Sequence, residues 1–190
     1  MRLILASTSP RRADLLREAG IDFDVIAPTA EEIQEPGEAP ADFAVRAAAD
    51  KAESVAATAP AEPYLILAAD TVVVIDDHCL GKPQDESDAA RMLRLLSGRT
   101  HQVMTGVCLL PADRTGNRQA FVASTRVTFH ELTDAQIREY IATGEPMDKA
   151  GAYAIQGEGR ALVESVEGSY TNVVGLPVER VQEVMASFPD

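Results

Sequence analysis

The sequence predicts an α/β fold: a mixed, twisted sheet with flanking helices. Three observations carry this reading. Apolar strand-like runs alternate with segments of helical period from residue 2 to residue 98. Two strand-like runs then follow one another directly across residues 100–131, so the sheet cannot be purely parallel. No internal repeat and no linker interrupts the 190 residues, a length that suits one domain or two small lobes sharing a core.

The elements follow in order. Arg2 to Ala6 is a short apolar strand running into Ser7-Thr8-Ser9-Pro10. Ser9 before Pro10 reads as an N-cap with proline at the first helical position, and Gly20 stands where the helix should end. Ile21 to Ala27 reads as a second strand. Residues 28–40 hold Pro28, Pro36, Pro40 and the glutamates Glu31, Glu32, Glu35 and Glu38, so they form an acidic loop. An alanine-rich helix is expected from Ala41 to Ala59. Tyr64 to Ile75 reads as a buried strand, with Asp70 its one charged residue, and Asp76-Asp77 as a turn. A helix from Glu86 to Leu96 closes at Gly98. Thr100 to Leu110 and Gln119 to Glu131 read as paired strands around 111–118. Thr133 and Gln136 form a capping box for a helix ending near Gly144. Residues 145–160 are irregular, Ala161 to Val166 is a strand, and Pro177 opens a terminal helix.

Composition narrows the function. Seventeen Lys+Arg against 30 Asp+Glu give a net charge of −13, which argues against nucleic-acid and anionic-membrane partners. An anionic ligand would need the few cations gathered locally, or a metal. Cys79 and Cys108 form no CxxC pair, and His78, His101 and His130 lack metal-ligand spacing. No signal peptide and no apolar run near 18 residues is evident, so the chain is expected to be cytoplasmic and reduced.

Four constellations look out of place for a purely structural chain. Ser7-Thr8-Ser9-Pro10-Arg11-Arg12 opens a helix, where free N–H groups favour an anion. A capped helix with solvated arginines is the plain alternative, but arginine at a helix start opposes the dipole. Asp70 interrupts an apolar strand, as a metal ligand or general base would; a turn-capping aspartate is the alternative, yet the strand continues beyond it. The chain has 14 arginines and only three lysines, Lys51, Lys82 and Lys149. Lys51 falls in the stripe Ala44, Ala48, Lys51, Val55 on the inner face of its helix, although a lysine can snorkel out of such a stripe. Finally, Ala150 to Gly159 combines three glycines with Gln156, which suits close approach to a ligand and an amide that reads a polar edge; alone, such a loop is weak evidence. The acidic loop should be a largely solvated run, with one or two glutamates able to fold over a cationic or metal-loaded site.

Taken together, these motifs resemble the Maf family of nucleoside triphosphate pyrophosphatases, named for a role in bacterial septum formation. The resemblance rests on LILASTSPRR at 3–12, the glutamates 31–32, DKA around Lys51, AADTVV at 69–74, GKP at 81–83, SGRTHQVMTGV at 97–107, EPMDKAGAYAIQG at 145–157 and GSYTNVVGLP at 168–177. It implies a single domain over residues 1–190, with two lobes about a deep cleft and an inosine triphosphatase-like fold. It also implies hydrolysis of a nucleoside triphosphate to monophosphate and pyrophosphate, with a divalent metal, Mg or Mn, as cofactor. Arg11, Thr71 and Gln156 follow the branch acting on dTTP and UTP, where the 7-methyl-GTP branch has tryptophan, glutamine and glutamate.

By this resemblance Asp70 is the base or a metal ligand, and Glu32, with Glu31 less certain, helps hold the metal. Lys51 and Lys82, Arg11 and Arg12, and the Ser7 and Ser9 hydroxyls cradle phosphates, while Thr71 and Gln156 read the base. A homodimer is the expectation for its assembly, and a cell-division partner is left open. The competing readings are a 7-methyl-GTP pyrophosphatase and a non-enzymatic, nucleotide-sensing regulator of septum formation. An intact base and lysine set oppose the regulator, since a pure binder needs no base. An RNA-binding module is disfavoured by charge and by an aromatic content of 5%.

Overall fold

The strand β3 (Tyr64–Ile75) organises the molecule, because all but one of its twelve residues are buried. Such a continuous apolar run belongs at the centre of a sheet covered on both faces. The structure is a computed structural model and describes residues 2–59, 64–112 and 117–188. The parallel strand β1 (Arg2–Ala6) pairs with β3, and β2 (Phe23–Val25) adds in parallel to β1 at the sheet edge. A short β4 (His78–Leu80) folds back antiparallel on β3 through Asp76 and Asp77, both in the left-handed region. With β5 (Thr100–Pro111), β6 (Gln119–Phe129) and β7 (Val163–Glu167), the seven-stranded sheet runs β2-β1-β3-β5-β6-β7, and β7 is antiparallel to β6. The mixed sheet expected from sequence is present. Of the connection expected at 111–118, residues 113–116 lie outside the described residues.

Helices α1 (Pro10–Glu18), α2 (Pro40–Ala56), α3 (Glu86–Leu96), α4 (Asp134–Ala142), α5 (Tyr170–Val174) and α6 (Val178–Met185) flank the strands. The Thr133/Gln136 capping box forms at α4 as its sequence predicts. The expected strand at 21–27 shrinks to three residues, since an edge strand with one neighbour and exposed side chains gains little from extension. The strand expected at 161–166 starts two residues later, because a 3-10 turn over Gly157–Leu162 precedes it.

The chain divides into two compact units. The first comprises residues 1–70, 105–123 and 175–190; the second comprises 71–104 and 124–174. In the first, α2 lies on the sheet through alanines: Ala48 and Ala52 join Ile4, Ala6, Ile66, Ala68 and Cys108 in one buried cluster. Small residues permit this close approach, and Gly106 on β5 requires it. A Cβ on Gly106 would lie 2.1 Å from the Ala44 carbonyl oxygen, a clash with backbone that cannot swing away. In the second unit, His101, Phe129 and Tyr153 stack edge to face at centroid distances of 4.7–5.4 Å.

Candidate functional site

The first unit gathers most of the residues singled out in the sequence. Where β1 ends, Ser7 is buried, and its hydroxyl oxygen accepts from the Ser9 backbone N–H (3.1 Å) and from Arg12 (3.4 Å). Ser9 is indeed the N-cap residue and Pro10 the first helical residue, but the Ser9 hydroxyl caps no backbone N–H. The Ser7 hydroxyl folds the turn instead, and it does so by holding the Ser9 amide. Arg12 is anchored by donating Nε–H to the Gly175 carbonyl at 2.8 Å. Burial pushes its guanidinium below the ordinary arginine range, and the nearby Asp70 and Glu32 carboxylates pull it back up. Arg11, on the same first turn, is partly buried.

Lys51 is buried, as the alanine stripe predicts, and does not snorkel to solvent. Its ammonium donates to Asp70 Oδ1 at 2.6 Å and to the Ala69 carbonyl at 3.4 Å, and it pairs with Glu32 Oε1 at 2.6 Å. The Lys51 and Asp70 side chains are 6% and 8% exposed, against 49% for Glu32. Asp70 Oδ2 accepts from no described residue. Two carboxylates therefore converge on one ammonium. Glu31 is exposed and joins none of these contacts.

The acidic loop is more ordered than a solvated run would be. Arg46 of α2 grips both carboxylate oxygens of Glu38 at 2.7 Å and donates to the Ile33 carbonyl at 2.8 Å. Gln34 donates to the Glu38 carbonyl at 2.8 Å. The Arg46 hydrogen bonds are the main cause that holds the Glu38 carboxyl down at about 2, and the Glu35 backbone N–H, donating to Oε2 at 3.0 Å, adds to it. The sequence did not single out Arg46; its position eight residues after Glu38, inside a helix that follows the loop, is the only signal. Its grip fixes the segment from which Glu32 reaches Lys51.

The second unit carries Thr71, Lys82 and Gln156. Thr71 is the one partly exposed residue of β3. Lys82 and Gln156 are exposed, and neither side chain bonds to a described residue. The remaining rare lysine has a local explanation: Lys149 pairs with Asp148 and donates to the Glu145 carbonyl.

Among the described residues no group of three or more His, Cys, Asp or Glu side chains could hold a metal ion. Mg²⁺ is commonly held by one or two carboxylates, with waters and substrate phosphates completing the shell. Asp70 and Glu32 fit that mode. Both touch one Nζ atom, so their near oxygens lie no further apart than twice 2.6 Å.

A HAM1 protein from Coxiella burnetii aligns over 99% of this chain and 100% of its own, with a TM-score of 0.55 at 14% identity, a likeness of fold alone. The family follows from sequence: the chain belongs to the Maf family, whose description is Maf-like protein, matched over residues 2–188. A dTTP/UTP pyrophosphatase of Geobacter sulfurreducens is 53% identical over 182 residues, covering 96% of this chain and 94% of that protein. One of Koribacter versatilis, under the same name, is 52% identical over 97% of this chain and 93% of its own. Among the described residues no helix is long and apolar enough to cross a membrane.

Proposed function

We propose that this chain hydrolyses dTTP and UTP to the monophosphate and pyrophosphate by attack of water at the α-phosphorus. The observation that carries the reading is the buried Lys51–Asp70 pair with Glu32 on the same ammonium, close enough to Arg12 to influence its charge. Relatives about half identical over nearly their whole length are named for this reaction. We read residues 1–190 as one such domain.

Asp70 Oδ2 is free to take the proton of the attacking water or to serve as a metal ligand, while Lys51 fixes Oδ1 and keeps the carboxylate aimed. Glu32 is the second metal-holding carboxylate. A divalent ion, Mg²⁺ or Mn²⁺, would supply charge neutralisation at the phosphates and polarise a phosphoryl oxygen. Arg11, Arg12, Lys82 and the Ser7 and Ser9 hydroxyls donate to phosphate oxygens, and Lys51 supports them through its positive charge. Ser9 is suited to this because its hydroxyl is not spent on the helix cap. Thr71 and Gln156 read the base: a primary amide can donate to a ring carbonyl and accept from N3–H of uracil or thymine. A cytoplasmic homodimer fits the family, and a net charge of −13 disfavours nucleic acid and anionic membranes as partners.

A panel of nucleoside triphosphates with Mg²⁺ or Mn²⁺, scored for pyrophosphate and monophosphate, tests this. UTP and dTTP should lead CTP and 7-methyl-GTP. Release of orthophosphate, or a preference for 7-methyl-GTP, would overturn it.

A further inference from the structure

The segment that carries Gln156 is held from both sides by two residues to which the proposed reaction gives no part. Glu145 follows α4 and points its carboxylate into the backbone of residues 154–159. Its Oε1 accepts from the Gly159 N–H at 3.0 Å and from the Tyr140 hydroxyl at 2.9 Å, and Oε2 accepts from the Glu158 N–H at 3.1 Å. The Tyr140 hydroxyl accepts in turn from the Ala154 N–H at 3.1 Å. A relay of Ala154 N–H, Tyr140 O–H and Glu145 carboxylate thus ties down the chain two residues before Gln156 and two and three residues after it.

The glycines belong to the same arrangement. Gly157 has a φ of +64°, and a Cβ there would meet Glu145 Oε2 at 2.5 Å. A Cβ on Gly159 would meet the Ala154 carbonyl oxygen at 2.2 Å and the Tyr140 hydroxyl at 2.7 Å. Only glycine lets the backbone close this tightly around the carboxylate. Below, Tyr153 and Ile155 are buried, and the Tyr153 hydroxyl bonds His101 Nε2 at 2.7 Å. Gln156 itself stays exposed in an extended conformation. Tyr153, Ile155 and Gly159 around it are buried, and the Ala154, Glu158 and Gly159 N–H groups are bonded.

We propose that Glu145 and Tyr140 are positioning residues for base selection: they lock the turn around Gln156 so that its side chain springs from one fixed backbone position. This rests on the reading of Gln156 as the base-reading group. On a mobile turn Gln156 could shift its whole side chain to suit cytosine as well as uracil. On a fixed turn it reaches the ring from one direction, chosen for uracil and thymine, and the poorer pairing with cytosine is the source of discrimination.

The test compares kcat/KM for UTP with that for CTP in purified Glu145→Ala, Tyr140→Phe, Gln156→Ala and the double variant Glu145→Ala/Gln156→Ala, each checked for folding by circular dichroism. The UTP-over-CTP ratio should fall about tenfold in Glu145→Ala, by less in Tyr140→Phe, and no further in the double variant than in Gln156→Ala. The loss should appear chiefly as a raised KM for UTP with kcat changed little, which a general loss of structure would not produce. If Glu145→Ala does not fold, Tyr140→Phe, which removes a single hydroxyl, decides. An unchanged ratio in Gln156→Ala refutes the base-reading assignment. A collapsed ratio in Gln156→Ala with an unchanged one in folded Glu145→Ala or Tyr140→Phe refutes the positioning role alone.

Discussion

Replacing Asp70 with asparagine separates the chemistry of the site from its contribution to stability. In the native site Lys51 Nζ is shared between Asp70 and Glu32, each at 2.6 Å, and the Ala69 carbonyl. Asp70→Asn keeps an oxygen that can accept from Lys51, and the ammonium keeps Glu32. The cost is the difference between an ion pair and an ammonium bonded to a neutral amide oxygen, about 1–2 kcal/mol. For a chain of this length that lowers the melting midpoint by about 2–8 °C. Lys51→Met, by contrast, strands a buried carboxylate, and removing one partner of such a pair costs about 3–5 kcal/mol. The activity losses rank otherwise. A lost general base costs about two to four decades in turnover, so Asp70→Asn should be a folded, nearly inactive protein. Thermal unfolding by circular dichroism, beside pyrophosphate release from UTP, reads both quantities on one preparation. Asp70→Asn turnover within tenfold of wild type would refute the assignment, and so would a melting midpoint lowered as far as in Lys51→Met.

Three further outcomes follow from the same geometry. Lys82→Ala should reduce UTP turnover far more than Arg180→Ala, because Arg180 is exposed and its contacts are surface ones, an ion pair with Glu183 one helical turn away and the face of the Phe121 ring; equal effects in steady-state assays would remove Lys82 from the site. Gln156→Glu should lose UTP and dTTP activity while its melting curve stays near that of wild type, since an ionised carboxylate can accept but not donate; unchanged dTTP turnover would refute the base-reading role. Burial in the Phe129/Tyr153 cluster holds His101 down at about 4, below its ordinary value, so its neutral form stabilises the fold above about pH 6.5 and that stability is lost as pH falls toward 4. The wild-type midpoint should drop across that window by more than that of His101→Phe, and parallel pH profiles would show that His101 does not drive the loss.

Much of this was legible in the chain, for reasons visible in particular residues. β3 and α3 have the bounds that their patterns predict, the first because an unbroken apolar run must be central, the second because Asp85 caps it and accepts from Asp88 N–H. The burial of Lys51 followed from its place among alanines. Its partners did not: a stripe shows that a lysine faces inward but not that two carboxylates wait there. β4 and α5, of three and five residues, are too short for any period to register. Glu145 escaped notice because its partners are backbone N–H groups 13 and 14 residues away, brought to it by successive 3-10 turns that side-chain spacing does not encode. Arg46 escaped for a similar reason, since its work is to order a loop by gripping Glu38.

The central claim is that water, activated beside Asp70, attacks the α-phosphorus of a pyrimidine nucleoside triphosphate. Hydrolysis of UTP by the purified protein in ¹⁸O-enriched water, with mass analysis of both products, tests it most directly. One solvent oxygen should appear in UMP and none in pyrophosphate. Label in pyrophosphate instead, or in orthophosphate with UDP as the co-product, would place the attack on another phosphorus and contradict the account.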